Sequence, residues 1–417
     1  MAQLTDDCFA FGGKLLALPE ALALIEGGFA CVTAAEETAL ADADGRILAA
    51  PLVAPISVPR HDNSAVDGYA VQFDDLDPTA ATTLAIEGRA AAGHPLGRPA
   101  ARGTAIRIFT GALMPAGPDT VIMQEDCTVA GDRVLIRPGI RRGANRRLAG
   151  EDVREGQTIL AAGRRLHPPE LGLIASLGLT TVPVRRRLRA ALFSTGDEVA
   201  EPGAPLMPGQ IYDANRFMIA ALLRRAGVVV TDGGILPDRP GAMRAALAGA
   251  AGMHDLILTS GGVSTGEEDH VRDAIQQLGR LAFWRLGIKP GRPVAVGAIG
   301  ETPLVGLPGN PVAAMITYMA IARPLIAALS GEIRQPVPRL PATADFAYRK
   351  KRGRREYVRV RLAESAAGRV ASRFPRDGAG ILTSLTDSDA LAELPEDITE
   401  LQPGAEIACL PLAALYD

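Results

Sequence analysis

Asp62-Asn63-Ser64-Ala65-Val66-Asp67-Gly68 places two carboxylates, an amide and a hydroxyl next to one another, closed by a glycine. Burying such a set would demand a partner for every polar group. A loop that presents Asp67 to a ligand accounts for the composition. The structural alternative is an Asx-type turn in which Asp-Gly closes a bend.

Three more special loops lie downstream, the first two with the same mixture of glycine, hydroxyl and acid and the third rich in glycine and proline. They are Ser194-Thr195-Gly196-Asp197-Glu198, the run from Ser260 to Asp269, and Gly306-Leu307-Pro308-Gly309-Asn310-Pro311. In the second, Gly261 and Gly262 allow backbone N–H groups to approach an anion, and Ser264 and Thr265 add hydroxyl donors. The helix that follows offers its positive end, so a phosphate fits there. The third reads as a helix start, with Asn310 as N-cap and Pro311 at the first helical position. Asp67, Glu198 and Asp269, with Asp238 in Leu236-Pro237-Asp238, are loop acids. Carboxylates beside a phosphate site point to Mg²⁺ held between them. Complementing a helix N-terminus would explain Glu267, but it leaves Asp67 unexplained.

The stretch Trp284-Arg285-Leu286-Gly287-Ile288-Lys289-Pro290-Gly291-Arg292 brings three cations together. On one extended strand, Arg285 and Lys289 would share a face. Such a set would hold a multiply charged oxyanion. The basic run from Arg349 to Arg361 reads as a solvated face.

These loops need rigid strand ends to position them. From residue 186 the pattern alternates: a strand at 190–194, a helix at 215–225, a strand at 228–231, a helix at 239–250, a strand at 255–260, a helix at 267–278, a strand at 304–307 and a long helix at 311–329. That order predicts βαβ crossovers, a mostly parallel sheet and helices on both faces. Ligands of such sheets bind beyond the carboxyl ends of the strands, where the special loops lie. Residues 60–145 and 335–417 read as short strands with turns. The segment 37–59 reads as helix into strand, starting at Thr38-Ala39-Leu40-Ala41.

The resulting expectation is a multidomain α/β chain. A three-layer α/β/α domain takes 1–27 and 186–334. A mixed linker-type domain takes 28–59 and 146–185, a β-rich inserted domain takes 60–145, and a small C-terminal β-barrel takes 335–417. The length accommodates this. Net charge is −3, which gives no global field for nucleic acid or membrane. Four scattered cysteines, without a CxxC pair, argue against a disulfide framework or a thiolate zinc site. No signal peptide and no apolar run of membrane-spanning length is read, so a cytoplasmic location is expected.

Taken together, Asp62-Asn-Ser-Ala-Val-Asp-Gly-Tyr-Ala, Arg107-Ile-Phe-Thr-Gly-Ala, Gly150-Glu-Asp, Ser194-Thr-Gly-Asp-Glu, Ser260-Gly-Gly-Val-Ser-Thr-Gly, Ile288-Lys-Pro-Gly-Arg-Pro and Gly306-Leu-Pro-Gly-Asn-Pro resemble the molybdopterin molybdenumtransferase family, which includes the C-terminal domain of gephyrin. The resemblance implies that adenylylated molybdopterin and molybdate yield molybdenum cofactor and AMP, with Mg²⁺ assisting. It also implies a homodimer with its cleft near the dimer interface. The implied protein partners are a molybdopterin adenylyltransferase and the molybdoenzymes that receive the cofactor. Asp67, Asp152, Glu198, Asp238 and Asp269 match the family's cleft acids, with Asp67, Glu198 and Asp269 as metal candidates. Thr110 matches the threonine of its Thr-Gly-Ala turn, and Lys289 a family lysine. Arg285 and Arg292 stand where many members carry lysine, and Arg is a planar fork rather than a point charge. Arg354 matches an arginine of the terminal domain. Ala379 stands where the family carries a serine and is given no role.

The catalytic set expected on this basis is Asp67, Glu198, Asp269 and Lys289. Substrate contacts are expected from Thr110, Asp152, Asp238, Ser260, Gly261, Gly262, Ser264, Arg285, Arg292, Pro308, Asn310 and Arg354. Two rivals stand beside this reading. One is a molybdopterin adenylyltransferase, which would not need the Asp67 loop or the flanking β-rich regions. The other is a non-catalytic gephyrin-like scaffold, which would not need the intact acids and Lys289.

Overall fold

The computed structural model describes residues 15–263, 270–366 and 368–416. Helix α1 (Leu18–Gly28) buries Leu18, Ala21 and Ile25 against the central α/β unit, and proline in its first turn fits a helix start. The chain then leaves that unit and returns to it at residue 189.

Between those points lie two β-rich layers. A six-stranded mixed sheet spans residues 68 to 136; Gly68–Val71 sits in it between Thr104–Ile108 and Thr120–Met123. A smaller layer pairs Ala35–Ala39 with Thr181–Arg185 and carries the helix Pro168–Ser176. The helix expected to begin at Thr38 is here a strand end followed by a single 3₁₀ turn, Leu40–Asp42. Its Ala- and Glu-rich sequence favours a helix, but cross-strand pairing such as Glu37 with Pro183 overrides that weak preference.

The central unit realises the alternation of strand and helix. Its elements are β1 (Arg189–Thr195), α2 (Asn215–Arg225), β2 (Val229–Leu236), α3 (Pro240–Ala251), β3 (Leu256–Ser260), α4 (His270–Leu278), β4 (Gly279–Trp284), β5 (Ala295–Ile299), β6 (Thr302–Leu307) and α5 (Pro311–Thr317). The sheet order is β2-β1-β3-β6-β5-β4. The first four strands are parallel, and β5 and β4 add an antiparallel edge. Side chains alternate between two cores: Leu192 and Leu258 face α2, α1 and α5, whereas Phe193 and Ile257 face α3 and α4.

Helix α5 continues through a π turn (Tyr318–Ala322) into α6 (Arg323–Ser330). This 20-residue run is long and apolar enough to span a bilayer, which corrects the expectation that no such run exists. Within the fold most of it is buried, so its apolar surface serves the core of the α/β unit.

The last region closes into a five-stranded barrel: β7 (Leu340–Ala344), β8 (Arg355–Ser365), β9 (Gly368–Arg373), β10 (Ala390–Leu394) and β11 (Glu406–Pro411). The strands run in the order β8-β9-β7-β11-β10, with β10 returning to pair with β8. The segment Ile288–Lys289 adds in parallel to the start of β8, stitching the barrel to the α/β unit.

Candidate active site

The carboxyl ends of β1, β3 and β6 lie side by side, because Ser194 pairs with Ser260 and Ser260 with Leu307. The loops beyond them enclose a cleft of about 730 Å³. Glu198, Asp238, Ser260, Gly261, Gly262, Pro308 and Asn310 all line it.

Gly261 has φ +97°, and a Cβ there would sit 2.7 Å from the Thr195 carbonyl oxygen. Only glycine lets the β3 loop pass this close to β1. The Asp197 and Asp238 loops hold each other: the Asp197 N–H donates to Asp238 Oδ2 at 3.2 Å, and the Asp238 N–H donates to Asp197 Oδ1 at 3.1 Å. Asp197 is thereby used for loop structure, while its neighbour Glu198 is exposed on the cleft. Asn310 occupies the N-cap position of α5 but makes no capping hydrogen bond with its side chain. That side chain borders the cleft instead.

A second cavity of about 360 Å³ adjoins the first, and Pro293, Pro308 and Asn310 line both. It sits between the α/β sheet and the barrel. Lys289, Arg292, Arg354 and Arg359 supply its positive charge, with Tyr348, Tyr357 and Asp377 among them. Glu356, 1 % exposed, organises this wall. It accepts from the Tyr348 hydroxyl at 2.8 Å and from Arg354 Nε at 2.6 Å, and lies 3.2 Å from Lys289 Nζ. Burial alone would lower the Lys289 pKa, but the Tyr348 hydroxyl and the Glu356 carboxylate outweigh it and hold it above the usual lysine value. Burial likewise opposes the charge on Glu356, yet Tyr348, Arg354 and Lys289 keep its pKa low.

Arg285 does not join this wall. It follows β4 with φ +87°, a left-handed backbone uncommon outside glycine. The chain turns there and crosses from the α/β sheet to the barrel, where Lys289 pairs with Glu356. The shared strand face expected for Arg285 and Lys289 is therefore corrected: Arg285 lies in the turn after β4, and Lys289 in the segment that joins the barrel.

The reading of Arg349 to Arg361 as a solvated face is also corrected. Arg349 is exposed, but Arg355 pairs with Glu393 and Glu396, and Arg359 is only 8 % exposed. Arg359 donates from Nε to Ser384 Oγ and from a terminal nitrogen to Gly378 O, both at 3.1 Å. It forms no ion pair with a carboxylate among the described residues, and burial pulls its pKa down. On β8 Arg359 is buried, whereas Arg361, two residues further along the same face, is exposed. Sequence reasoning missed Arg359, although the strand period of Tyr357 and Arg359 was a usable signal.

Asp67, Thr110 and Asp152 lie elsewhere, and none of them lines either cavity. Asp67 precedes the strand Gly68–Val71 of the six-stranded sheet. Its Oδ1 accepts from both the N–H and the hydroxyl of Thr110, each at 2.8 Å. The Thr110 backbone donor and then its hydroxyl hold the Asp67 pKa below the ordinary carboxylate value. Asp152 is exposed, with its N–H bonded to Val58 O. Ser264 and Asp269 lie outside the described residues. Among the described residues no group of three or more His, Cys, Asp or Glu side chains is gathered as a metal site.

Comparison with known proteins covers most of this arrangement. Residues 16–178 match the family described as "MoeA N-terminal region (domain I and II)". Residues 191–328 match "Probable molybdopterin binding domain", and residues 341–412 match "MoeA C-terminal region (domain IV)". The chain is 41 % identical to the molybdopterin molybdenumtransferase of Haemophilus influenzae over 329 residues, covering 78 % of this chain and 81 % of that one. It is 36 % identical to molybdopterin molybdenumtransferase 2 of Mycobacterium tuberculosis over 377 residues, covering 88 % and 93 %. Among solved structures it is similar to a molybdopterin biosynthesis moeA protein of Pyrococcus horikoshii, with TM-score 0.83 and 27 % identity across 95 % of this chain and all of that one.

Proposed function

The chain belongs to the molybdopterin molybdenumtransferase family, and we propose that it inserts molybdenum from molybdate into adenylylated molybdopterin, releasing AMP with the assistance of Mg²⁺. It is a transferase of molybdenum cofactor biosynthesis. The observation that carries the finer reading is the junction of two cavities of different chemistry at Pro293, Pro308 and Asn310. The cleft at the strand ends suits the nucleotide-linked pterin, and the basic cavity suits a dianion.

In this reading the Ser260–Gly262 turn holds a phosphate of the anhydride. Ser260 Oγ accepts from Asn215, which leaves its own proton free to donate. Lys289, Arg292, Arg354 and the buried Arg359 hold molybdate. Tyr348 and Glu356 keep Lys289 and Arg354 in place, so little reorganisation is needed when charge builds on the oxygens. The Glu198 and Asp238 carboxylates on the cleft wall suit Mg²⁺, which takes one or two carboxylates together with water and phosphate oxygens. Mg²⁺ bound there would neutralise charge on the phosphoanhydride. Asp67 and Asp269 are the further acids proposed for it. No side chain is proposed as a covalent nucleophile.

We also propose a homodimer whose second subunit brings the Asp67–Thr110 pair to this cleft. Two features support it: the distance in sequence and sheet between that pair and the strand ends, and a run of exposed apolar side chains, Leu206, Met207, Ile211, Tyr212 and Phe217, of which Ile211 and Tyr212 line the cleft. The direct test combines purified protein, adenylylated molybdopterin, molybdate and Mg²⁺, and follows AMP release and reconstitution of a molybdoenzyme. AMP release without molybdate dependence, or no cofactor formed, would overturn the reading.

A further inference from the structure

The reading above puts a phosphate on one loop and an oxyanion beside another. The distance between those loops then decides whether the bound groups can react. Strand pairing between β3 and β6 ends at Ser260 and Leu307, with one more backbone bond from the Gly261 N–H to Leu307 O at 2.9 Å. Beyond that point a side chain continues the connection. Asn215, the first residue of α2, donates from Nδ2 to Ser260 Oγ at 2.8 Å and to Gly309 O at 2.7 Å.

A backbone carbonyl can only accept, so the contact with Gly309 fixes which end of the amide is nitrogen. Both N–H groups of Asn215 are then used, one on each loop. Asn215 is 8 % exposed, and its Oδ1 is buried with no partner among the described residues. An unmet buried acceptor is costly, and an apolar residue would avoid it. Helix initiation does not account for the asparagine either, since the cap position of α2 is Ala214 and no side-chain cap bond forms. The feature that needs an amide is the double donation across the two loops.

We propose that Asn215 is a positioning residue that sets the separation of the Ser260 loop from the Pro308–Asn310 loop, and through it the approach of the molybdopterin end of the substrate to the oxyanion. The proposal rests on the assignment of those two ligands to the two cavities. A displacement of about 1 Å in such an approach is enough to cost roughly 100-fold in rate while each ligand still binds.

The test uses the full chain with Asn215→Ala, Asn215→Asp and Asn215→Ser. Asn215→Asp keeps the size but turns an oxygen toward the Gly309 carbonyl, so a space-filling role predicts near wild-type turnover for it. The positioning role predicts loss for both Ala and Asp. In Asn215→Ala, kcat should fall about 30-fold or more, with KM for each substrate within about threefold of wild type. Molybdate alone, titrated calorimetrically, should bind with unchanged affinity. Asn215→Ser, which reaches only one loop, should lie between. Unchanged kcat in Asn215→Ala would overturn the proposal. So would a tenfold rise in one KM at constant kcat, which would make Asn215 a substrate contact. If Asn215→Ala does not fold, Asn215→Ser carries the test, and loss of folding in all three would make Asn215 a folding residue. A wild-type enzyme whose AMP release ignores molybdate would defeat the underlying reading. Normal turnover of Asn215→Ala in a molybdate-dependent enzyme would defeat this inference alone.

Discussion

Lys289 and Glu356 are register partners across two folding units: the segment bearing Lys289 joins the barrel in parallel with the start of β8, and Nζ lies 3.2 Å from the buried carboxylate. Half of the lysine side chain stays exposed at the basic cavity, while Glu356 is almost completely covered. The barrel thus orients a cation supplied by the α/β unit.

Lys289→Ala should keep the melting temperature close to wild type, because the lysine is half exposed and its loss opens no apolar void. Losing one charged hydrogen bond to an anion costs about 1.5–3 kcal/mol, or roughly 10- to 150-fold in apparent affinity. Cofactor synthesis should therefore drop strongly at low molybdate and recover in part at high molybdate. No recovery would assign Lys289 to the pterin phosphate, and full activity at low molybdate would return this cluster to surface charge.

Arg359 tests the wall from its buried side. Its neutral partners, Ser384 and Gly378, orient the guanidinium without neutralising it. Arg359→Lys keeps the charge but not the fork, so it should raise KM for molybdate about tenfold, and Arg359→Ala should raise it further. Equal KM values for wild type and Arg359→Lys, measured by AMP release, would remove Arg359 from the oxyanion set.

Arg359 also marks where sequence reading stopped. The α/β alternation was legible because β1, β3 and β6 are short apolar runs bounded by glycine loops, and their ends had to carry ligands. The basic run 349–361 was opaque because Arg355, Arg359 and Arg361 share one face of β8 and differ only in how deeply the fold covers each, and a charge count cannot show which of them meets a cavity. Arg285 was misplaced because a left-handed backbone at a non-glycine residue has no sequence signature. Asn215 gave no motif, since its partners come from loops 45 and 94 residues away.

Asp67→Asn tests the distant acid. The amide oxygen of asparagine can still accept from the Thr110 N–H and hydroxyl, so the loop should hold its shape. What changes is the charge. Turnover that depends on Mg²⁺ should be lost while the circular dichroism spectrum and melting temperature stay unchanged. Unaltered turnover at limiting Mg²⁺ would exclude Asp67 from metal binding.

Glu332 predicts the acid limit of the fold. It joins Arg165 of the smaller β-rich layer to Arg323 of α6, bonded to Arg165 at 2.7 and 2.9 Å and to Arg323 at 2.9 and 3.1 Å. Burial alone would raise its pKa, but the two guanidiniums overcome this and push it from 4.5 down to about 2. A depressed carboxylate stabilises the fold above its unfolded pKa, and that contribution disappears as pH falls through the folded value. Its share, about 3 kcal/mol, should be complete above pH 4.5 and fade between pH 4.5 and 2. Glu332→Gln should lower stability by a similar amount at pH 7 and flatten this part of the acid titration. Identical urea midpoints for wild type and Glu332→Gln at pH 7 would refute the assignment.

The dimer is tested at Phe217 and Met207. Both are exposed, both lie close in sequence to the cleft-lining stretch 211–215, and a charge at either should be tolerated by a free surface. If a second subunit covers them, Phe217→Asp with Met207→Glu places two carboxylates in a buried apolar interface, where unpaired charge is strongly unfavourable. The wild-type chain should sediment as a dimer at micromolar concentration and the double variant as a monomer with an unchanged circular dichroism spectrum. The monomer should also lose cofactor synthesis, because the Asp67–Thr110 pair of each chain would no longer reach the cleft of the other. Mixing it with a chain carrying Asp67→Asn would restore nothing, since the variant surface cannot pair. A wild-type monomer with full activity would show instead that one chain completes its own site.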